Sequence, residues 1–271
     1  MKAPSFAYAK PRSAAEAFEL LERHGAGAKI LAGGQSLIAS LNMRLSAPEI
    51  LVDIGALPLR DITLEQGVVR IGALATHAQI GNSPEVKKHV PLLAQAVPHI
   101  AHPAIRNRGT LGGSLALADP AAEYPACAVA LDASIVVAGK DGERLVPAEK
   151  FFKGLFETDL GPAEMIVAVE FAAIGKDERS AFLELARRHG DYAIIGLAAH
   201  RSEQNRLVFF GAGATPVFAA NASRAESLDA AVAALEDDLD PPADLYNTSA
   251  TKRHLAKVLL TRAWNTLSTA H

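Results

Sequence analysis

Cysteine is almost absent from this chain: Cys127 is the only one among 271 residues. A single thiol makes no internal disulfide, holds no cysteine-ligated iron–sulfur cluster and completes no Cys-rich zinc site. Excess charge is missing too. The formal net charge is -3, which excludes a general electrostatic attraction to nucleic acid or to acidic lipid. No apolar run approaches the roughly 18 residues of a membrane span. The N-terminal "MKAPSFAYAKPRSAAEAF" lacks the apolar core and cleavage site of a signal peptide, so the expected location is cytoplasmic. Neither GxGxxG nor GxxxxGK[ST] occurs, which removes the Rossmann fingerprint and the P-loop. A GxSxG elbow and a Ser–His–Asp order are likewise missing, and His77, His99 and His102 have no metal-ligand spacing.

What remains is a soluble globular composition, 49% hydrophobic and 21% charged, long enough for two domains or one large one. The patterning predicts a helix over 13–23, capped by Ser13, with Ala17, Phe18, Leu20 and Leu21 apolar. Apolar runs at 28–33, 49–54 and 67–74 read as strands. Residues 36–45 read as a helix with Leu37, Ile38, Leu41 and Leu45 on one side. Further on, Pro120 is placed to open a helix that Asp119 caps. Strands are expected at 133–139 and 164–171. Past the polar stretch 174–180 come three more strand-like runs and two long helices, 223–239 and 248–267. These changes place a domain boundary near residue 176.

Two short stretches stand out. "LAGGQSL" (31–37) and "TLGGSL" (110–115) each set adjacent glycines after an apolar residue and follow them with a hydroxyl. Adjacent glycines free φ, so successive N–H groups can line one concavity and bind an anion. A helix start next to the first pair adds unpaired N–H groups and a positive dipole end. A pyrophosphate gripped from two sides fits, with Ser36, Thr110 and Ser114 as further donors. Two tight strand-to-helix turns are the plainer alternative, and spacing alone leaves both open.

"ILAGGQSLIASLNMRLSAPEILVDI" (30–54) and "IAHPAIRNRGTLGGSLALADPAAEYPA" (100–126), in that order, resemble the FAD-binding medium subunit of the molybdenum hydroxylases. That group includes the carbon monoxide dehydrogenases, the xanthine dehydrogenases and the bacterial N-heterocycle and aldehyde dehydrogenases. The resemblance runs from about Phe6 to about Arg262.

It implies an α+β fold: a PCMH-type FAD-binding domain (1–176) of two small α/β lobes, about 1–56 and 57–176, and a C-terminal α+β flavoprotein domain (177–271). It further implies that Ile30, Leu31, Ala32, Gly33, Gly34, Gln35, Ser36 and Leu37 wrap the FAD pyrophosphate from one side. Thr110, Gly112, Gly113 and Ser114 do so from the other. Glu123 matches an acidic position that binds the cofactor's sugar portion, and Asp119 competes for that role. Ile100 and Ile166 match apolar positions along the flavin, and Tyr192 an aromatic near its ring. No side chain is a catalytic candidate and none a metal ligand.

The partners so implied are a large molybdopterin subunit and a small subunit with two [2Fe–2S] clusters, in a doubled heterotrimer. This chain would pass electrons from those clusters to an external acceptor. A self-contained FAD-dependent oxidase or reductase, and a non-catalytic nucleotide-binding assembly protein, are the alternatives.

Overall fold

The computed structural model describes residues 2–268. Three short parallel strands, β1 (Ala7–Ala9), β2 (Ala28–Leu31) and β3 (Ile50–Asp53), form a sheet in the order β1-β3-β2. Helix α1 (Ala14–His24) covers it. The Ser13 hydroxyl accepts the Glu16 N–H at 3.2 Å, and Ala17, Phe18 and Leu21 are buried. These residues form a core that also includes Met165 and Val167 of the next sheet.

That next sheet is antiparallel, built from β4 (Ile62–Glu65), β5 (Val68–Gly72), β6 (Ser134–Gly139), β7 (Gly142–Pro147) and a strand over Met165–Ala172. A two-stranded hairpin, β8 (Phe152–Gly154) and β9 (Glu157–Thr158), precedes that last strand, β10. The order is β4-β5-β10-β6-β7. A third sheet holds β11 (Arg179–Ala186), β12 (Ala193–Arg201), β13 (Asn205–Phe210) and β14 (Val217–Phe218), all antiparallel.

The third sheet is apolar on both faces, and each face has a different destination. Leu197, Ala199, Leu207 and Phe209 pack with the long C-terminal helices. Phe182, Ala198, Val208 and Phe210 join the core of the middle region instead, with Tyr124, Ala128 and Val137. The pleat produces this split, because neighbouring residues point to opposite faces.

Four expectations need correction. The helix expected over 36–45 is α2 (Leu37–Asn42), only six residues. Arg44 adopts a left-handed φ of 59° and stops it, so Leu41 is buried while Ile38 and Leu45 are exposed. The stretch 111–117 is not a loop but helix α3 (Leu111–Leu117), capped by Thr110. Asp119 and Pro120 lie in the turn after it, where the Asp119 carboxylate accepts the Ala121 N–H at 2.9 Å; helix α4 (Glu123–Ala130) starts later and without a side-chain cap. The helix expected over 223–239 is two, Ala220–Arg224 and Leu228–Asp238, separated at Ala225 and restarted by a Ser227 cap. The final helix, expected over 248–267, spans Ser249–Ser268.

Candidate cofactor cleft

A cleft of about 940 Å³ runs between the first and second sheets and reaches the turn before β12. The first glycine pair forms one wall. Gly34 takes a left-handed φ of 75°, which a Cβ would strain. The consequence is an open row of donors: among the described residues, the N–H groups of Gly33, Gly34, Gln35 and Ser36 reach no acceptor in the chain. Unpaired backbone N–H groups are stable only where solvent or a ligand meets them. Helix α2 is too short to add a dipole of consequence, so what this segment could offer an anion is the amides themselves.

The second pair works differently from the expectation. Gly112 and Gly113 are helical and have ordinary negative φ, so conformational freedom is not what they contribute. They permit close approach. A Cβ on Gly112 would stand 2.6 Å from the Ala73 Cβ, and one on Gly113 would stand 2.8 Å from the Thr110 Oγ1 that caps its own N–H. The Gly112 N–H donates to the Ala73 carbonyl at 2.8 Å and the Leu111 N–H to Ala75 at 3.0 Å, which docks this segment on the chain just after β5. Donors left for a guest are the Thr110 N–H and the Ser114 hydroxyl.

The two glycine segments touch. A Cβ on Gly33 would overlap the Arg108 carbonyl oxygen and lie 2.9 Å from its carbon. Gly33 and Arg108, 75 positions apart in sequence, thus meet backbone to backbone beside the cleft.

Of the other expected residues, Ile30, Ala32, Leu37, Ile100, Asp119, Glu123, Ile166 and Tyr192 all line the cleft. Leu31 does not; it is the last residue of β2, and its carbonyl accepts the Ile54 N–H at 3.0 Å. Ile100 and Ile166 are buried at the wall, whereas Tyr192 is 77% exposed at the mouth. Burial, with the Asp119 carboxylate beside it, pushes the Glu123 carboxyl up to about 7.

Other lining residues escaped the sequence reading. His77 sits under the second glycine segment, its ring 5.2 Å from Tyr124; burial, then the Arg106 charge, lowers it to about 4, so it is neutral. Leu160, Gly161 and Pro162 form a further edge, held by Arg144, which donates to Asp159 and Glu164 at 2.7 Å each. Arg144 is remote from both glycine motifs in sequence, and nothing in its neighbourhood announces the role. The Gly-Pro turn was the one legible signal. Arg106 donates at 2.9 Å to the carbonyls of Ile100 and Ala101, shaping the loop rather than offering charge to a guest. No group of three or more metal-ligating side chains occurs among the described residues, and no described helix is long and apolar enough to cross a membrane.

Fold and cleft together define an α+β chain with a groove of about 940 Å³ flanked by two glycine-bearing segments. Comparison with known proteins takes this further. Residues 4–172 match the FAD binding domain in molybdopterin dehydrogenase, and residues 180–267 match the CO dehydrogenase flavoprotein C-terminal domain. The chain is 37% identical to the 6-hydroxypseudooxynicotine dehydrogenase complex subunit alpha of Paenarthrobacter nicotinovorans, over 100% of this chain and 96% of that one. It is 41% identical to the carbon monoxide dehydrogenase medium chain of Hydrogenophaga pseudoflava, over 72% and 68%. A solved structure of carbon monoxide dehydrogenase from that organism superposes with a TM-score of 0.94 at 35% identity, covering 98% of each chain. Quinoline 2-oxidoreductase from Pseudomonas putida 86 gives 0.91, also at 35% and 98%. The chain belongs to the FAD-binding medium subunits of the molybdenum hydroxylase family, and is therefore a subunit of a molybdenum-containing dehydrogenase complex.

Proposed function

We propose that this chain is the electron-transfer subunit of its complex, acting in the cytoplasm between iron–sulfur clusters on a partner and an external acceptor. The observation that carries the reading is the row of four unpaired amides, Gly33 to Ser36, closed over by the Arg108 backbone. The donor set fits FAD: amides and hydroxyls for a pyrophosphate, carboxylates for sugar hydroxyls, apolar walls for a ring.

Bound there, FAD supplies electron exchange in one- or two-electron steps, chemistry that no side chain of this protein offers. The chain's own residues bind and orient. In this proposal Ile30 and Ala32 to Leu37 hold the pyrophosphate from one side, and Thr110, Gly112, Gly113 and Ser114 from the other. Glu123, with Asp119, accepts hydrogen bonds from the sugar portion. Ile100 and Ile166 keep water from one flank of the ring, and Tyr192 stands at the mouth. Leu31 supports the wrap from the sheet side.

The partners proposed are a large subunit with molybdopterin and a small one with two [2Fe–2S] clusters, assembled as a dimer of heterotrimers. The relatives' names, subunit alpha and medium chain, support a multisubunit setting. The single, buried Cys127 supports placing the clusters on another chain. The division at residue 176, into an FAD-binding domain (1–176) and a C-terminal domain (177–271), accords with the two matched regions.

A visible absorption spectrum tests the reading. The chain purified alone and with co-expressed partners is expected to show flavin bands, lost in Gly33→Asp and Gly113→Asp. Iron–sulfur absorbance is expected only with the small partner present. Colourless protein that stays so with added FAD overturns it.

A further inference from the structure

Outside the set of residues assigned above, the hydroxyl of Tyr124, the amide oxygen of Asn205 and a carboxylate oxygen of Glu184 are buried without a hydrogen-bond partner, and of these Glu184 alone is an acid of ordinarily low pKa. Glu184 lies on β11, on the same face as Phe182, and its side chain is only 3% exposed. Its Oε2 has no hydrogen bond. A buried carboxylate without partners is strongly disfavoured, so the carboxyl keeps its proton unless something compensates.

Glu184 has a partly exposed imidazole beside it and a cleft-lining carboxyl within electrostatic reach. The imidazole is that of His99, whose Nδ1 is 3.8 Å from Glu184 Oε2 and whose side chain is 32% exposed. That gap exceeds a hydrogen bond but is within reach of one side-chain rotation or one bridging water. The His99 ring packs 5.1 Å from Phe182 and 6.1 Å from the His189 ring. Glu123 and Asp119 both line the cleft, and the Glu123 charge acts on Glu184.

Of the other titratable neighbours of Glu123, Tyr124 and Cys127 are fully buried and pushed well above their ordinary values by burial, and Tyr192 is raised by burial, then by Asp119 and Glu123. They are uncharged and do not compete for the proton. Burial, then Glu123, raises Glu184 to about 8, while burial, then His189, lowers His99. The carboxyl is thus a group that retains its proton, and the imidazole one that gives up a proton more readily than an ordinary histidine.

We propose that Glu184 and His99 form a proton-exchange pair serving the cleft: the buried carboxyl hands a proton towards Glu123 on the cleft wall and regains one from solvent through the His99 imidazole. The step conserves its atoms. One proton leaves Glu184 towards Glu123, and one enters from water by way of His99. Glu123 and Glu184 together avoid carrying two negative charges in a poorly solvated space. The purpose assigned to the pair rests on the FAD reading, since reducing a flavin by two electrons is accompanied by proton uptake.

The pair itself is testable without flavin. Infrared spectroscopy of the full apo chain at neutral pH is expected to show a protonated carboxyl band that Glu184→Gln removes. In His99→Gln, deuteration of that band is expected to slow about tenfold or more, because the imidazole is the relay to solvent. In Glu123→Gln, its titration midpoint is expected to fall by about one pH unit, the effect of removing a facing charge. His99 is partly exposed, so its replacement leaves a folded chain. A band untouched by Glu184→Gln, or exchange at the wild-type rate in His99→Gln, overturns the proposal. With FAD loaded, and its content checked by absorbance, His99→Gln is expected to slow proton uptake upon chemical reduction at unchanged flavin content. Absence of flavin from the wild-type chain would refute the cofactor reading while leaving the infrared result to decide on the pair.

Discussion

Gly33→Ala separates two-sided wrapping of a cofactor from a mere turn. The added methyl overlaps the Arg108 carbonyl oxygen and stands 2.9 Å from its carbon, whereas ordinary contact begins at 3.4 Å. Both partners are backbone, so neither segment yields by rotating a side chain; they must part by about 1 Å, at a stability cost of ~1–3 kcal/mol for such overpacking. The effect on binding is larger in proportion. Hydrogen bonds from two facing segments to one pyrophosphate stretch from about 2.9 Å to nearly 4 Å on one side and are lost there. Each bond to a charged group contributes about 1.5–3 kcal/mol, so losing one or two weakens FAD by roughly 10- to 20,000-fold. Titrating apo protein with FAD, followed by flavin fluorescence, gives the Kd, and a thermal melt on the same sample gives stability. Gly175→Ala is the control: that glycine is exposed, remote from the cleft, and its added Cβ meets only the flexible Glu178 side chain at 3.3 Å. A Gly33→Ala protein that binds FAD within about threefold of wild type would refute the clasp, since threefold is only ~0.65 kcal/mol.

Other substitutions divide binding from folding. Tyr192→Ala removes a ring that is 77% exposed, so stability is expected to stay within about 0.5 kcal/mol. FAD affinity is expected to fall about 3- to 10-fold, the worth of one aromatic contact; an unchanged Kd would remove Tyr192 from the site. His77 bears on acid stability. Its value falls from 6.5 to about 4 in the fold, so the unfolded chain binds a proton there before the native one does. Its contribution is present above pH 6.5 and disappears as pH falls towards 4, amounting to at most about 3 kcal/mol. Denaturant melts of wild type and His77→Gln at several pH values are expected to converge towards pH 4. Parallel curves would contradict the assignment.

Much of this was legible in the sequence, for reasons that can be given residue by residue. Ser13 with Glu16 and the apolar spacing of Ala17, Phe18 and Leu21 specify α1 locally, and the helix forms where expected. Five strands of the first two sheets, β2, β3, β5, β6 and β10, carry apolar runs and lie within about two residues of their expected bounds, whereas β1, β4 and β7, short or largely polar, were not expected. Failures came where a single backbone conformation decides. Arg44 enters the left-handed region, truncates α2 and leaves Leu45 in solvent, although its composition does not mark it as a helix stop. The two glycine pairs look alike as text, yet Gly34 is present for its φ and Gly112 for its missing Cβ, a distinction visible only once Ala73 is beside it. Arg144 and Glu184 act through partners distant in the chain, and no local pattern encodes either.

The two-faced third sheet has a practical consequence for anyone producing this protein in pieces. Cutting at residue 176 would strip the cover from Phe182, Ala198, Val208 and Phe210 on one fragment and from Tyr124 and Ala128 on the other. Each half would display a wide apolar surface of the kind that drives aggregation. The two matched regions are separable in sequence comparison, but expression, refolding and crystallisation should treat the chain as indivisible.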